Sequence, residues 1–132
     1  MMLTSSLNDL LATLCQRQGW QPVTADERGY FKLQLDNVAL TLFTQGDLLL
    51  MDSPVLELSK DVQQRWYQQN KVLQLMSVNP DIAQFSTYYC EQQGKLCLYN
   101  TLPSELLDIG EFETSLASFV DGIEWINNQL LN

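Results

Sequence analysis

The sequence predicts an α+β fold in which helices pack on an antiparallel sheet, with elements in the order α-β-β-β-α-β-β-α. Three observations carry this. Phe112, Leu116, Phe119, Ile123, Ile126 and Leu130 recur at steps of four and three, which sets them on one stripe of a helix about five turns long. From Tyr30 the apolar period changes to two and stays so across three segments separated by turn residues. A second period-two pair follows around Gln93-Gly94, after another helical stretch. The chain of 132 residues is read as one domain spanning 1–132, large enough for a single core and too short for two.

The first helix is expected to start near Ser6, paired with Asp9 as a capping pair, and to carry Leu7, Leu10, Leu11 and Leu14 at helical spacing. Gly19 suits the left-handed position that ends it. The sequence leaves open whether Trp20 packs or is exposed. Residues 21–28, with Pro22, Asp26, Glu27 and Arg28, read as a loop.

Next come the strands. A two-residue turn at Asp36-Asn37 would set Leu35 opposite Val38, Leu33 opposite Leu40 and Phe31 opposite Leu42. A turn at Gln45-Gly46 would set Leu49 opposite Leu42 and Met51 opposite Leu40. All of these side chains then share one face, and a slip of one residue would turn the whole set outward. The other face holds Tyr30, Lys32, Gln34, Ala39, Thr41, Phe43, Leu48 and Leu50, more apolar than the wet side of a half-buried sheet. Its cover is expected to be the chain's own helix, a second copy or a bound peptide. A loop is expected after Ser53-Pro54.

Asp61 to about Val78 reads as the second helix. Val62, Trp66, Leu73 and Met76 fall on one stripe, Val72 and Leu75 lie offset from it, and glutamines fill the back. That composition is compatible with a helix at a subunit interface, the simpler reading being packing on its own sheet. Asn79-Pro80 ends it. Phe85 to Glu91 and Lys95 to Asn100 form the second hairpin, placing Cys90 opposite Cys97, Tyr89 opposite Leu98 and Tyr88 opposite Tyr99. In the last helix Glu111 and Glu113 complement the dipole of the first turn, with Pro103 and Gly110 punctuating the approach. Gly122 with Ser115 and Ser118 makes a row of small residues. Either another backbone approaches closely there, or a surface glycine is merely tolerated.

Composition excludes much. A formal charge of −9, with only seven Lys and Arg, argues against nucleic acid and against an anionic membrane surface. Without histidine there is no Ser-His-Asp triad, no His-paired cysteine and no His-containing zinc site. Three cysteines without CxxC spacing read as reduced thiols, small buried hydrophobes rather than a disulfide framework. The amino terminus lacks the basic start and apolar core of a signal peptide, and no apolar run reaches membrane-spanning length, so a cytoplasmic location is expected. No glycine-rich phosphate loop, calcium loop or nominated carboxylate pair is present, so no catalytic, cofactor or metal residue is assigned.

The whole pattern resembles the class I type III secretion chaperones, the Tir-chaperone-like group. The residues that carry the likeness are the helix of Leu7, Leu10, Leu11 and Leu14, the strands Tyr30 to Asp36 and Val38 to Thr44, the hairpin ending Leu98-Tyr99-Asn100-Thr101-Leu102-Pro103, and the acidic last helix with Trp125. The resemblance implies a cytoplasmic protein that binds an extended segment of a secreted effector or translocated protein and keeps it export-competent, without ATP or metal. It also implies a dimer, either of identical chains or with a second small chaperone, with the second helix in the interface. The apolar outer face together with the first helix marks a partner site. Partner contact is therefore expected at Leu7, Leu11, Leu14, Phe43, Leu48 and Leu50, and the dimer interface at Trp66, Val72 and Leu75. Two other readings remain: a regulatory domain of this fold with no secreted client, and a small carboxylate-dependent hydrolase.

Overall fold

A computed structural model of the chain describes residues 3–104 and 107–131. The elements are α1 (Leu3–Gln18), β1 (Phe31–Leu35), β2 (Val38–Gln45), β3 (Leu48–Glu57), α2 (Val62–Val78), β4 (Ser86–Cys90), β5 (Lys95–Pro103) and α3 (Ile109–Leu131). The expected order is the observed one. The strands form one antiparallel sheet in the order β1-β2-β3-β5-β4, which leaves β1 and β4 at its edges.

All three helices send side chains into a single core on one side of this sheet. Leu7, Leu11 and Leu14 from α1, Val72 and Met76 from α2, and the α3 stripe from Phe112 to Ile126 meet Phe31, Leu33, Val38, Leu40, Leu42, Leu49, Met51, Leu96 and Leu98. The alternation of the strands thus does what its period requires: one face is buried, the other is turned away from every helix.

α1 begins at Leu3, so Ser6 lies inside the helix and not at its cap. Its end is as expected. Gly19 adopts φ +71 and the Trp20 N–H donates to the Cys15 carbonyl at 2.9 Å, the six-to-one bond of a Schellman motif. In the following loop the Asp26 carboxylate accepts the N–H groups of Arg28 and Tyr30, which delivers the chain to β1.

The first hairpin has the expected register, with Phe31 opposite Leu42 and Leu35 opposite Val38. The second is shifted by two residues. Leu42 pairs with Met51 and Gln45 with Leu48, because the loop is Gly46-Asp47 and its first position needs the positive φ of +58 that Gly46 supplies. The expected loop after Ser53-Pro54 is also corrected, since β3 runs on to Glu57 through a bulge between Pro54 and Leu56. Proline is tolerated there because pairing with β2 stops at Asp52, so beyond it β3 has β5 alone beside it.

The β4–β5 hairpin departs in the same way. Cys90 pairs with Lys95, Tyr89 with Leu96 and Tyr88 with Cys97, because the connection is four residues long and ends in Gly94 at φ +64. Cys90 and Cys97 are therefore not opposite each other, and all three cysteines are free. α3 is capped by Asp108, whose Oδ1 accepts the Glu111 N–H at 2.8 Å. Gly110 is already helical. Gly122 is buried, and the groups that approach it are the side chains of Ile82 and Phe85 in the segment after α2.

Candidate partner-binding surfaces

The outer sheet face is built by the residues that alternate with the core set. Tyr30 and Phe43 stack with ring centroids 4.6 Å apart. Leu50 lies beside Phe43 in the ladder, half-buried, and Leu48 next to it is 42% exposed. No helix among the described residues packs over this face. Of the covers considered from the sequence, the chain's own helix is thus removed for Phe43, Leu48 and Leu50.

The same face carries a polar cluster that the sequence did not reveal. Tyr88 on β4 reaches across β5 and donates its hydroxyl to Asp52 Oδ2 on β3 at 2.6 Å. Tyr99 packs edge-on against Tyr88 at 5.7 Å. Asp52 Oδ1 is shielded from solvent and has no hydrogen-bond partner among the described residues. Burial is the main reason the Asp52 carboxyl is held above its usual range, the Tyr88 hydrogen bond opposing it. Burial likewise pushes the Cys97 thiol up to about 11, and burial with the Asp52 contact raises the Tyr88 phenol. Asp52, Tyr88 and Cys97 border a hollow of about 510 Å³ together with Lys32, Gln34 and Thr41. The contact depends on β5 lying between β3 and β4, a pairing of strands distant in sequence that no local pattern announces.

A second surface lies on α2. Val62, Trp66, Tyr67, Leu73 and Val78 are exposed, Trp66 by 68%. Tyr89 on the edge strand β4 is exposed too, and Arg65 lies over its ring at 5.9 Å. The third surface is a hollow of about 440 Å³ where β1, the end of α1 and the middle of α3 meet. Leu14, Leu35, Leu116 and Val120 line its apolar part, and Asp36, Glu113, Asp121 and Glu124 are the charged residues around it.

The residues nominated from the sequence separate accordingly. Phe43, Leu48 and Leu50 come together on the outer face. Leu7, Leu11 and Leu14 do not join them: they are buried in the core on the opposite side, since the apolar stripe of α1 is what seals the inner face. Trp66 is open to a partner, Leu75 is partly buried against the core, and Val72 has no exposed surface. The stripe of α2 that faces inward is Val72 and Met76, while Val62, Trp66 and Leu73 face out. Helical period alone did not say which of two adjacent apolar arcs would be inside.

Among the described residues no group of three or more carboxylates or thiols is arranged to hold a metal ion, and no helix is long and apolar enough to cross a membrane.

Comparison with known proteins gives one family model, described as the Tir chaperone protein (CesT) family, which matches residues 9–126. No curated protein matches by sequence. Among solved structures the chain is similar to a chain of the ExsC-ExsE complex, at 26% identity and a TM-score of 0.71, covering 97% of this chain and 96% of that one. It is similar to a chain of the HopA1-SchA chaperone-effector complex at 21% identity and a TM-score of 0.71, with coverage of 97% and 98%. A chain of the ExoT-SpcS complex from Pseudomonas aeruginosa matches at 22% identity and a TM-score of 0.59, with coverage of 90% and 95%.

Proposed function

The chain belongs to the Tir chaperone protein (CesT) family, and from that membership we propose that it is a cytoplasmic type III secretion chaperone. It binds an extended segment of a secreted effector or translocated protein and keeps that segment export-competent. The observation that carries this reading is the uncovered outer sheet face, where Phe43, Leu48 and Leu50 offer apolar area that no helix of the chain shields. An extended segment suits a sheet with free edges, since strand addition supplies main-chain hydrogen bonds and alternate side chains supply selectivity. The likeness to a chain of a chaperone-effector complex supports the same reading. No reaction is performed on the client, and neither nucleotide nor metal is required.

The chaperone works as a dimer through α2 and the neighbouring strand β4, using Trp66, Leu73 and Tyr67 in place of the buried Val72. The partner is a second copy or another small chaperone with a matching helix. The experiment that tests the function is purification of the tagged chain from native cytosol, with identification of what comes with it. A secreted polypeptide is expected with the wild type and is expected to be lost in Leu48→Glu/Leu50→Glu, which leaves the core untouched. Client retention by that folded variant would refute the assignment of the outer face.

A further inference from the structure

We infer that Asp52 selects the client by accepting a hydrogen bond from a carboxamide side chain, Asn or Gln, set in an extended segment two and four residues from apolar anchors. This deepens the chaperone reading above and rests on it, naming the residue class that the polar end of the outer face takes. Spacing, unfilled hydrogen-bonding capacity and charge converge on it.

Leu48, Leu50 and Asp52 alternate along β3 with the buried Leu49, Met51 and Ser53, so all three project from the outer face. Alternate residues of a strand lie about 6.5–7 Å apart, and so do those of an extended client laid along it. Side chains over Leu48 and Leu50 therefore bring the next sheet-facing side chain over Asp52, at the hollow of about 510 Å³. β3 is the middle one of the five strands, so a segment along it has sheet to either side.

A carboxylate offers about four acceptor positions. The Tyr88 hydroxyl fills one on Oδ2, and Oδ1 has no partner among the described residues. An acceptor shielded from water and left without a donor is costly, and a donor that arrives with the client removes that cost on binding. Tyr88, which reaches Asp52 from the edge strand, is 39% exposed and has room to tilt as the donor enters. The carbonyl of the same carboxamide then has Thr41 beside it, the ladder neighbour of Asp52 on β2, whose hydroxyl can donate.

Charge decides against ionised side chains. Lys32 and Lys95 border the hollow, and Asp52 is the one carboxylate there among the described residues. An Arg or Lys of the client meets two like charges, while an Asp or Glu meets Asp52 in a chain of net charge −9. A carboxamide meets neither penalty and still supplies both donor and acceptor. A second copy of this chain is a poor source of the pattern. Two leucines and an asparagine stand at that spacing in Leu33-Leu35-Asn37 and Leu96-Leu98-Asn100, and those leucines are packed into the core.

The test uses the full chain and fluorescein-labelled peptides by fluorescence anisotropy. The probe sets Leu, Leu and Gln at alternate positions with Thr between them, and in three companions Met, Arg or Glu replaces the Gln. Met matches its length without the amide. The wild type is expected to bind the Gln peptide about tenfold more tightly than any companion, the scale of one hydrogen bond to a charged group. In Asp52→Leu the Gln and Met peptides are expected to bind within about twofold of each other. Leu48→Glu/Leu50→Glu is expected to lose all four. Equal binding of the Gln and Met peptides by the wild type would overturn the inference, whether or not Asp52→Leu folds. So would tighter binding of the Arg or the Glu peptide, or a Gln preference that survives in Asp52→Leu. A shift in the sedimentation of the unliganded chain on Asp52→Leu would assign the site to a second copy and overturn it as well. If the native client binds Asp52→Leu as it binds the wild type, while Leu48→Glu/Leu50→Glu loses it, the inference falls and the chaperone reading stands. If no secreted polypeptide binds the wild type, both fall.

Discussion

Gly122 of α3 faces Ile82 so closely that a β-carbon added at 122 would lie 2.5 Å from Ile82 Cγ2 and 2.9 Å from Phe85 Cε2. Both neighbours are buried, so neither can swing into solvent. Gly122→Ala gains about 1 kcal/mol of helix propensity, but overpacking a closed site costs about 1–3 kcal/mol. The expected net result is a loss of about 1 kcal/mol in denaturant unfolding. Removing the obstacle with Ile82→Ala should make the double variant less destabilised than the two singles added together, a coupling that a surface glycine would not show.

Trp66 and Val72 lie on the same helix with opposite fates, 68% exposed against 0%. On the proposed α2 interface, Trp66→Glu should change stability by no more than about 0.5 kcal/mol and shift the sedimenting species from dimer to monomer. Val72→Glu buries an unpaired charge and should cost more than about 4 kcal/mol, enough to lose the fold. A Trp66→Glu chain that still sediments as the wild-type dimer would remove α2 from the interface.

Why the sequence separated some of these features and blurred others follows from the periods involved. The α3 stripe was legible because bulky residues at steps of three and four fit no other element. The faces of the strands were legible because both hairpin errors were shifts of two, and a shift of two preserves the face while changing every partner. For that reason Phe43, Leu48 and Leu50 were correctly set outward, while Cys90 and Cys97 were wrongly set opposite each other. The errors come from turn chemistry: Gly46 opens its loop instead of closing it, and Gly94 closes a loop of four. Periodicity marked Leu7, Leu11 and Leu14 as one apolar face but not what covers it. The Asp52 and Tyr88 contact depends on the register of two strands far apart in sequence, and no local pattern encodes it. The Asp108 cap was missed as well, although an Asp three residues before Glu111 is the local signal that would have found it.

Cys90 and Cys97 should differ in reactivity. Cys97 is buried and its thiol is pushed up to about 11, while Cys90 at the end of the edge strand is half-exposed. At pH 8 the thiolate fraction of Cys97 is about one in a thousand. Iodoacetamide treatment of the native chain, read by peptide mass spectrometry, should label Cys90 well before Cys97 or the buried Cys15. Comparable early labelling of Cys97 would mean that the outer face opens at that point.

Asp52 should make the fold less stable as pH rises through its raised carboxyl pKa. Burial lifts that pKa above 3.8 in the folded chain, so between the unfolded and folded values the native state holds a proton that the unfolded state has released. Stability changes with pH as the protons bound in the unfolded state minus those bound in the native state, here a negative quantity. The contribution is therefore full below the unfolded value and is lost as pH climbs past the folded one. Asp52→Asn keeps an acceptor for the Tyr88 hydroxyl but cannot ionise, so its unfolding free energy should fall less steeply than the wild type's across the acidic range. The difference between the two curves isolates Asp52 from the other carboxylates, which are common to both proteins. Parallel curves would show that the carboxylate is relieved in solution, by a water or by movement of Tyr88, and that Oδ1 is not the orphan its surroundings make it.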